Sequence, residues 1–211
     1  MQMFRIKFFF IWVCFVTFLN VHYSASGAKI RILAFGDSLT AGYRLEKSRA
    51  YPAQLEQKLK AQGFDAEVLN AGVSGDTSSQ ALRRVEWVLK KGPFDSVLVC
   101  IGANDGLRNQ PIEQLEKNLN QIIQKFLDQN IKVILFDMKI PVNLNAEYRK
   151  SFEDVYARVA KLKKVHKGGF FLEDVAGKAD LMLEDQIHPN EKGYEIISSR
   201  IAKVFIQAQK K

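Results

Sequence analysis

Cysteine and histidine are scarce in this chain, whose 211 residues include two of the first and three of the second. Cys14 lies in the apolar amino-terminal run Phe8–Leu19, so a chain processed after that run keeps only Cys100 and forms no internal disulfide. Cys100 falls in the apolar run Val97–Ile101 and is expected to be buried, where a free thiol tolerates an oxidising compartment. Few histidines leave few bases: His22 belongs to the amino-terminal segment and His166 sits among lysines at an expected helix end, so His188 remains. Internal repeats and low-complexity linkers are also absent, as are Gly-x-Gly-x-x-Gly, a Walker lysine and any nucleic-acid-binding motif. These absences argue against a non-catalytic anion-binding module, all the more because Asp37 and Asp76 occupy the turns that would have to hold the anion. A metal-dependent phosphoesterase built on Asp37, Asp185 and His188 brings too few strong ligands together, and no metal or cofactor is expected.

Long apolar runs are confined to the start. Arg5 and Lys7 precede the apolar stretch Phe8–Leu19, and Ser24-Ala25-Ser26-Gly27-Ala28 follows it. A basic start, a short apolar core and small residues describe a signal peptide over residues 1–28, cleaved after Ala28 or Ala25, whereas a membrane-spanning helix wants about 20 apolar residues. Residues 29–211 then form one exported domain, periplasmic or secreted. The full chain carries a formal +8, and the mature chain +6, because the leader takes two basic and no acidic residues with it. Much of the excess lies in Lys161-Leu162-Lys163-Lys164 and Lys210-Lys211, runs that suit solvated faces or transient contact with an anionic membrane surface. A monomer without nucleic-acid partners is expected.

What is present is regular alternation. Strand-like runs at Ile30–Phe35, Ala66–Asn70, Ser96–Ile101, Lys132–Asp137 and Gly169–Leu172 are separated by helical periodicity, for example Leu115, Leu119, Ile122 and Phe126. Five such alternations imply an α/β fold with a parallel sheet covered on both faces. Pro52 suits a first helical turn, Thr77 with Gln80 reads as a capping box, and Gly63, Gly92 and Gly168-Gly169 stand where helices should stop.

Four polar loops fall at the edge where strands of such a sheet end. Gly36-Asp37-Ser38-Leu39-Thr40 offers Ser38 as a candidate nucleophile. Asn70-Ala71-Gly72-Val73-Ser74-Gly75-Asp76-Thr77 can point amide hydrogens into a site, and Gly102-Ala103-Asn104-Asp105-Gly106 can aim a side-chain amide there. In Asp185-Gln186-Ile187-His188-Pro189-Asn190, a carboxylate three residues before the imidazole can hold one ring nitrogen and leave the other to take a proton from serine. Alternatively, Asp185 joins Asn190 in capping the last helix.

Together the four blocks resemble those of the SGNH, or GDSL, hydrolase family, from the first strand to the last helix, and most resemble its exported multifunctional thioesterase, lysophospholipase and arylesterase branch. The stretches that carry this are Gly36-Asp37-Ser38-Leu39 with Ala41-Gly42-Tyr43-Arg44, Ser74-Gly75-Asp76-Thr77, Gly102 with Asn104-Asp105-Gly106-Leu107-Arg108, and Asp185 with Ile187-His188-Pro189-Asn190. The resemblance implies a three-layer α/β/α fold of flavodoxin type and hydrolysis of acyl esters, thioesters and lysophospholipids. By it, Ser38 is the nucleophile, His188 the base and Asp185 its orienting acid. The backbone amides of Ser38 and Gly72 with the Asn104 side chain form the oxyanion hole, while Asp37, Ile140, Pro141 and Leu144 adjoin the substrate. Departures fall at Ala103 and Asn145, each in place of a glycine, and at Leu144, in place of an aromatic residue. Asn145 is expected to keep the turn by adopting a left-handed conformation. A carbohydrate O-acetylesterase is the neighbouring alternative in chemistry.

Overall fold

Aliphatic and β-branched runs form five strands, β1 (Ile30–Gly36), β2 (Ala66–Gly72), β3 (Ser96–Cys100), β4 (Lys132–Asp137) and β5 (Val165–Phe170). The computed structural model describes residues 29–141, 144–161 and 165–210. The expected leader, residues 162–164 of the basic run, residues 142–143 of the loop after β4 and the terminal Lys211 lie outside the described residues.

All strand pairs are parallel, in the order β2-β1-β3-β4-β5. The central β3 is buried along its whole length, as a strand covered on both faces must be. Seven α-helices accompany the described strands: α1 (Ser38–Ala41), α2 (Tyr51–Ala61), α3 (Ser78–Leu89), α4 (Ala103–Leu107), α5 (Ile112–Asp128), α6 (Ala146–Ala160) and α7 (Glu191–Gln209). α2 packs with α7, while α3 packs with α5 and α5 with α6, giving the three layers. In α5 the stripe Leu115, Leu119, Ile122, Ile123 and Phe126 is buried, so its apolar face, more than helix propensity, holds it in place. The capping box at Thr77 is formed, with the Thr77 amide donating to Gln80 Oε1 at 2.9 Å.

Two expectations fail at the last strand. β5 begins at Val165, four residues before the expected Gly169, so His166 lies in a strand and not at a helix end. An edge strand with one neighbour tolerates such lysine- and histidine-rich sequence, which hides the strand from periodicity. The glycines expected to stop a helix lie inside β5 instead. A Cβ on Gly168 would stand 2.5 Å from the Phe136 ring, and Gly169 takes φ +79° where the register with β4 shifts.

Between β1 and β3 the chain changes the direction in which it builds the sheet, and open α/β sheets keep a crevice beyond the strand ends at that point. Ser38 follows β1 and Asn104 follows β3. Leu135, fully buried in β4, tests the core: Leu135→Ala should cost about 2–5 kcal/mol, read as a melting temperature lower by roughly 5–15 °C.

Candidate active site

The first loop is a single helical turn. Asp37 caps α1, its Oδ1 accepting the Leu39 amide at 3.0 Å, and its own amide still donates to Cys100 O on β3 at 3.3 Å. Ser38 thus leaves β1 with its backbone fixed on both sides. Asp37 is fully buried, its Oδ2 has no partner among the described residues, and burial pushes its carboxyl up to about 7.

His188 reaches Ser38 from the far end of the chain. Its Nε2 lies 2.8 Å from Ser38 Oγ and its Nδ1 lies 2.8 Å from Asp185 Oδ2. Asp185 Oδ1 also accepts the amides of Ile187 and His188, each at 2.9 Å, across a turn in which Gln186 takes φ +56°. Burial opposes ionisation of Asp185, but those two amides and the imidazole bring its carboxyl below the ordinary value. The loop is pinned to its surroundings: Leu183 N donates to His188 O at 2.7 Å, Asn190 Nδ2 to Asp180 O at 2.9 Å, and Tyr194 OH to Leu39 O at 2.9 Å. Asn190 alone caps α7, accepting from Gly193 N, and Asp185 turns toward the imidazole.

The second loop corrects one expectation. Gly72 does not line the crevice: its amide donates to Asn70 Oδ1 at 2.9 Å, and it packs under α1, where a Cβ would come within 2.2 Å of Ala41 N. Gly72 is there for that close approach. Gly75 lines the crevice with Ser38 and Asn104. It takes φ +85° in a turn closed by Asp76 N to Val73 O at 3.2 Å, a conformation that favours glycine at its third position. Both glycines stood in the sequence; the four-residue turn signal around Gly75 was the clue that separates them.

Two buried carboxylates brace this wall, and neither role was foreseen. Arg84 donates to Asp76 Oδ2 at 2.6 Å, to Ala71 O at 2.9 Å and to Gly36 O at 2.8 Å, tying the ends of β1 and β2 together. Asp105 accepts from Ser78 N at 2.7 Å and Ser78 Oγ at 2.5 Å, joining α4 to α3, and burial raises its carboxyl despite these bonds. Asn104 Nδ2 donates to Asp76 O at 3.0 Å, which leaves the second hydrogen of that amide for a ligand.

From Ser38 a predominantly apolar groove of about 690 Å³ runs past Leu107, Met138, Ile140, Phe170 and Met182. Ile140 and Pro141 are among the residues that line it. Leu144 and Asp37 do not: Leu144 packs against the core, and Asp37 lies beneath α1, out of reach of a substrate. Asn145 does not adopt a left-handed conformation either. With φ −49° it is the N-cap of α6, accepting Tyr148 N at 3.0 Å, a role its side chain fills better than glycine would.

A flavodoxin-like sheet that brings a hydrogen-bonded serine, histidine and aspartate to the mouth of an apolar groove defines an acyl-ester hydrolase. The chain belongs to the GDSL-like lipase/acylhydrolase family, also called SGNH, whose model matches residues 34–196. It is 36% identical over 202 residues to the "Thioesterase 1/protease 1/lysophospholipase L1" of Escherichia coli K12, covering 96% of this chain and 93% of that one. It is 33% identical over 184 residues to an arylesterase of Vibrio mimicus, covering 87% and 92%. In three dimensions it is similar to the psychrotrophic esterase EstA of Pseudoalteromonas, with a TM-score of 0.82, 33% identity, and coverage of 86% and 99%.

The buried Asp37 gives a pH prediction with a definite sign. Between its ordinary value of 3.8 and about 7 the unfolded chain releases a proton that the folded chain keeps, so this group's contribution to stability falls as pH rises through that window. Asp37→Asn keeps the oxygen that accepts from Leu39 N and removes the titration. Its melting temperature relative to the parent should therefore rise by several degrees from roughly pH 5 to pH 8, and a constant difference would show that Asp37 does not titrate there.

Proposed function

We propose that this protein is an exported serine hydrolase acting on acyl thioesters and carboxylic esters, lysophospholipids and aryl esters among them, with Ser38, His188 and Asp185 as its triad. The observation that carries the reading is the pair of 2.8 Å contacts running Ser38 Oγ, His188 and Asp185 at the head of the apolar groove. His188 takes the Ser38 proton as Oγ bonds to the acyl carbon, then delivers it to the leaving alcohol or thiol. Water, deprotonated by His188, next attacks the acyl-serine, and the proton returns to Oγ as the acid departs. The negative oxygen of each tetrahedral species is met by the amides of Ser38 and Gly75 and by Asn104 Nδ2.

The names of the relatives support the substrate classes, and the apolar groove favours a fatty acyl chain over a sugar acetate. The basic, apolar and small-residue pattern of residues 1–28 supports export, and with it turnover of lipids or fatty esters outside the inner membrane.

Purified mature protein should hydrolyse p-nitrophenyl esters, with activity retained as the acyl chain grows from acetyl to medium length. A steep fall with length would favour the acetylesterase reading, and failure on lysophospholipid with aryl esters turning over would count against the lipid role. Ser38→Ala should reduce turnover to background; surviving activity would remove serine from the mechanism. Asn104→Ala should lower kcat by about 10² to 10³ if its amide meets the oxyanion.

A further inference from the structure

Tyr43 ends the first catalytic loop and reaches the last one. Gly42 closes α1 in a left-handed conformation, and the amide of Tyr43 donates to Ser38 O at 3.2 Å, so the residue that carries the hydroxyl also anchors the phenol. The Tyr43 ring lies against the imidazole of His188, with ring centroids 4.4 Å apart and the planes inclined by 36°. On its other side in sequence, the Arg44 guanidinium stands 5.3 Å from the Tyr43 ring centroid.

The imidazole needs such support. It rests on a loop, and besides Ser38, whose bond to it is broken in the reaction, its side-chain hydrogen-bond partner is Asp185, a carboxylate 29% exposed, where water competes for the bond. A hydrogen bond to Nδ1 fixes one point of the ring but leaves it free to rock about the line to Asp185. An aromatic face against it removes that freedom, and the ring quadrupole also favours the imidazolium that forms when Ser38 gives up its proton.

We propose that Tyr43 is a positioning residue of the hydrolytic site: its ring holds the His188 imidazole in line with Ser38 Oγ and stabilises the imidazolium during acyl transfer. This rests on the reading of His188 as the base. The contact joins two loops that the sequence separates by more than a hundred residues, and its ends lie on the loops that carry Ser38 and His188. Tyr43 also lines the groove beside Ser38, so the effect through His188 is told from one on substrate binding by whether kcat or KM changes.

The test is steady-state kinetics of the mature protein on a soluble short-chain p-nitrophenyl ester. Tyr43→Ala and Tyr43→Leu should each lower kcat about tenfold with KM changed less than about twofold, whereas Tyr43→Phe, which keeps the ring, should restore kcat to within about twofold of the parent. Tyr43→Leu keeps the volume filled if the alanine variant folds poorly, and unchanged melting temperature in either shows that the loss is local. In a His188→Ala background, Tyr43→Ala should cost nothing further. A rise in KM alone, a phenylalanine variant as impaired as alanine, or the same fold loss with and without His188 would each overturn the proposal. If His188→Ala itself retained parental activity, the triad reading would fall instead, so the two failures are distinct.

Discussion

Because all five strands run in one direction, every loop that follows a strand leaves from the same edge of the sheet, and the site exists only as a consequence of that. Ser38 and His188 are 150 residues apart in sequence and 2.8 Å apart in space. The connection is not left to the loops. β1 delivers Ser38 at the point where strand order reverses, α7 is tied to α1 through the Tyr194 hydroxyl on Leu39 O, and the His188 loop is fastened to the segment before α7 at Leu183 and Asn190. Each bond is modest on its own, about 0.5–1.5 kcal/mol net. Their value is in setting geometry on elements whose stability comes from buried aliphatic faces elsewhere.

The same edge concentrates acidic groups to an unusual degree. Asp37, Asp76 and Asp105 are all buried behind the crevice, and the three are satisfied differently. Asp76 has the Arg84 guanidinium at 2.6 Å; Asp105 has a backbone amide and a hydroxyl from Ser78; Asp37 has one amide. A buried carboxylate with a single amide donor lacks the bonds to stay charged at low cost, so its neutral form is favoured up to about pH 7. Asp37, the residue adjoining the proposed nucleophile, is held in place by that hydrogen bond and by packing beneath α1.

Legibility divided along physical lines. Interior strands and amphipathic helices were readable because burial imposes periodicity: β4 and the α5 stripe stand where hydrophobic spacing puts them. β5 was misplaced because an edge strand carries little of that constraint, and Gly168-Gly169 serves ring packing and a register shift where glycine usually signals a helix end. In the crevice, polar residues in an order set by the sheet led to Ser38, Asn104, Asp185 and His188, whose convergence needs only topology. Gly72 and Gly75 could not be separated that way, since which of two glycines faces a crevice depends on the turn between them. Nor could the Arg84, Asp105 and Tyr43 contacts be read, because each depends on side-chain direction across elements that sequence spacing does not relate.

The chemistry and the groove wall draw only in part on different elements. The proposed proton relay and anion donors come from the loops after β1, β2 and β3 and the segment before α7; Met138, Ile140 and Phe170 bring groove wall from the ends of β4 and β5, and Leu107 and Met182 bring more of it from α4 and the segment before α7. A change in the wall alters how much acyl surface leaves water, at about 0.8 kcal/mol per buried methylene. Ala103, Leu144 and Asn145, the positions expected to depart from the family pattern, follow β3 and β4. Ala103 lines the groove beside Asn104. Asn145 ties the start of α6 to its own side chain, which sets where the loop after β4 rejoins the core. Of these three positions only Ala103 lines the groove; Leu144 packs against the core and Asn145 caps α6.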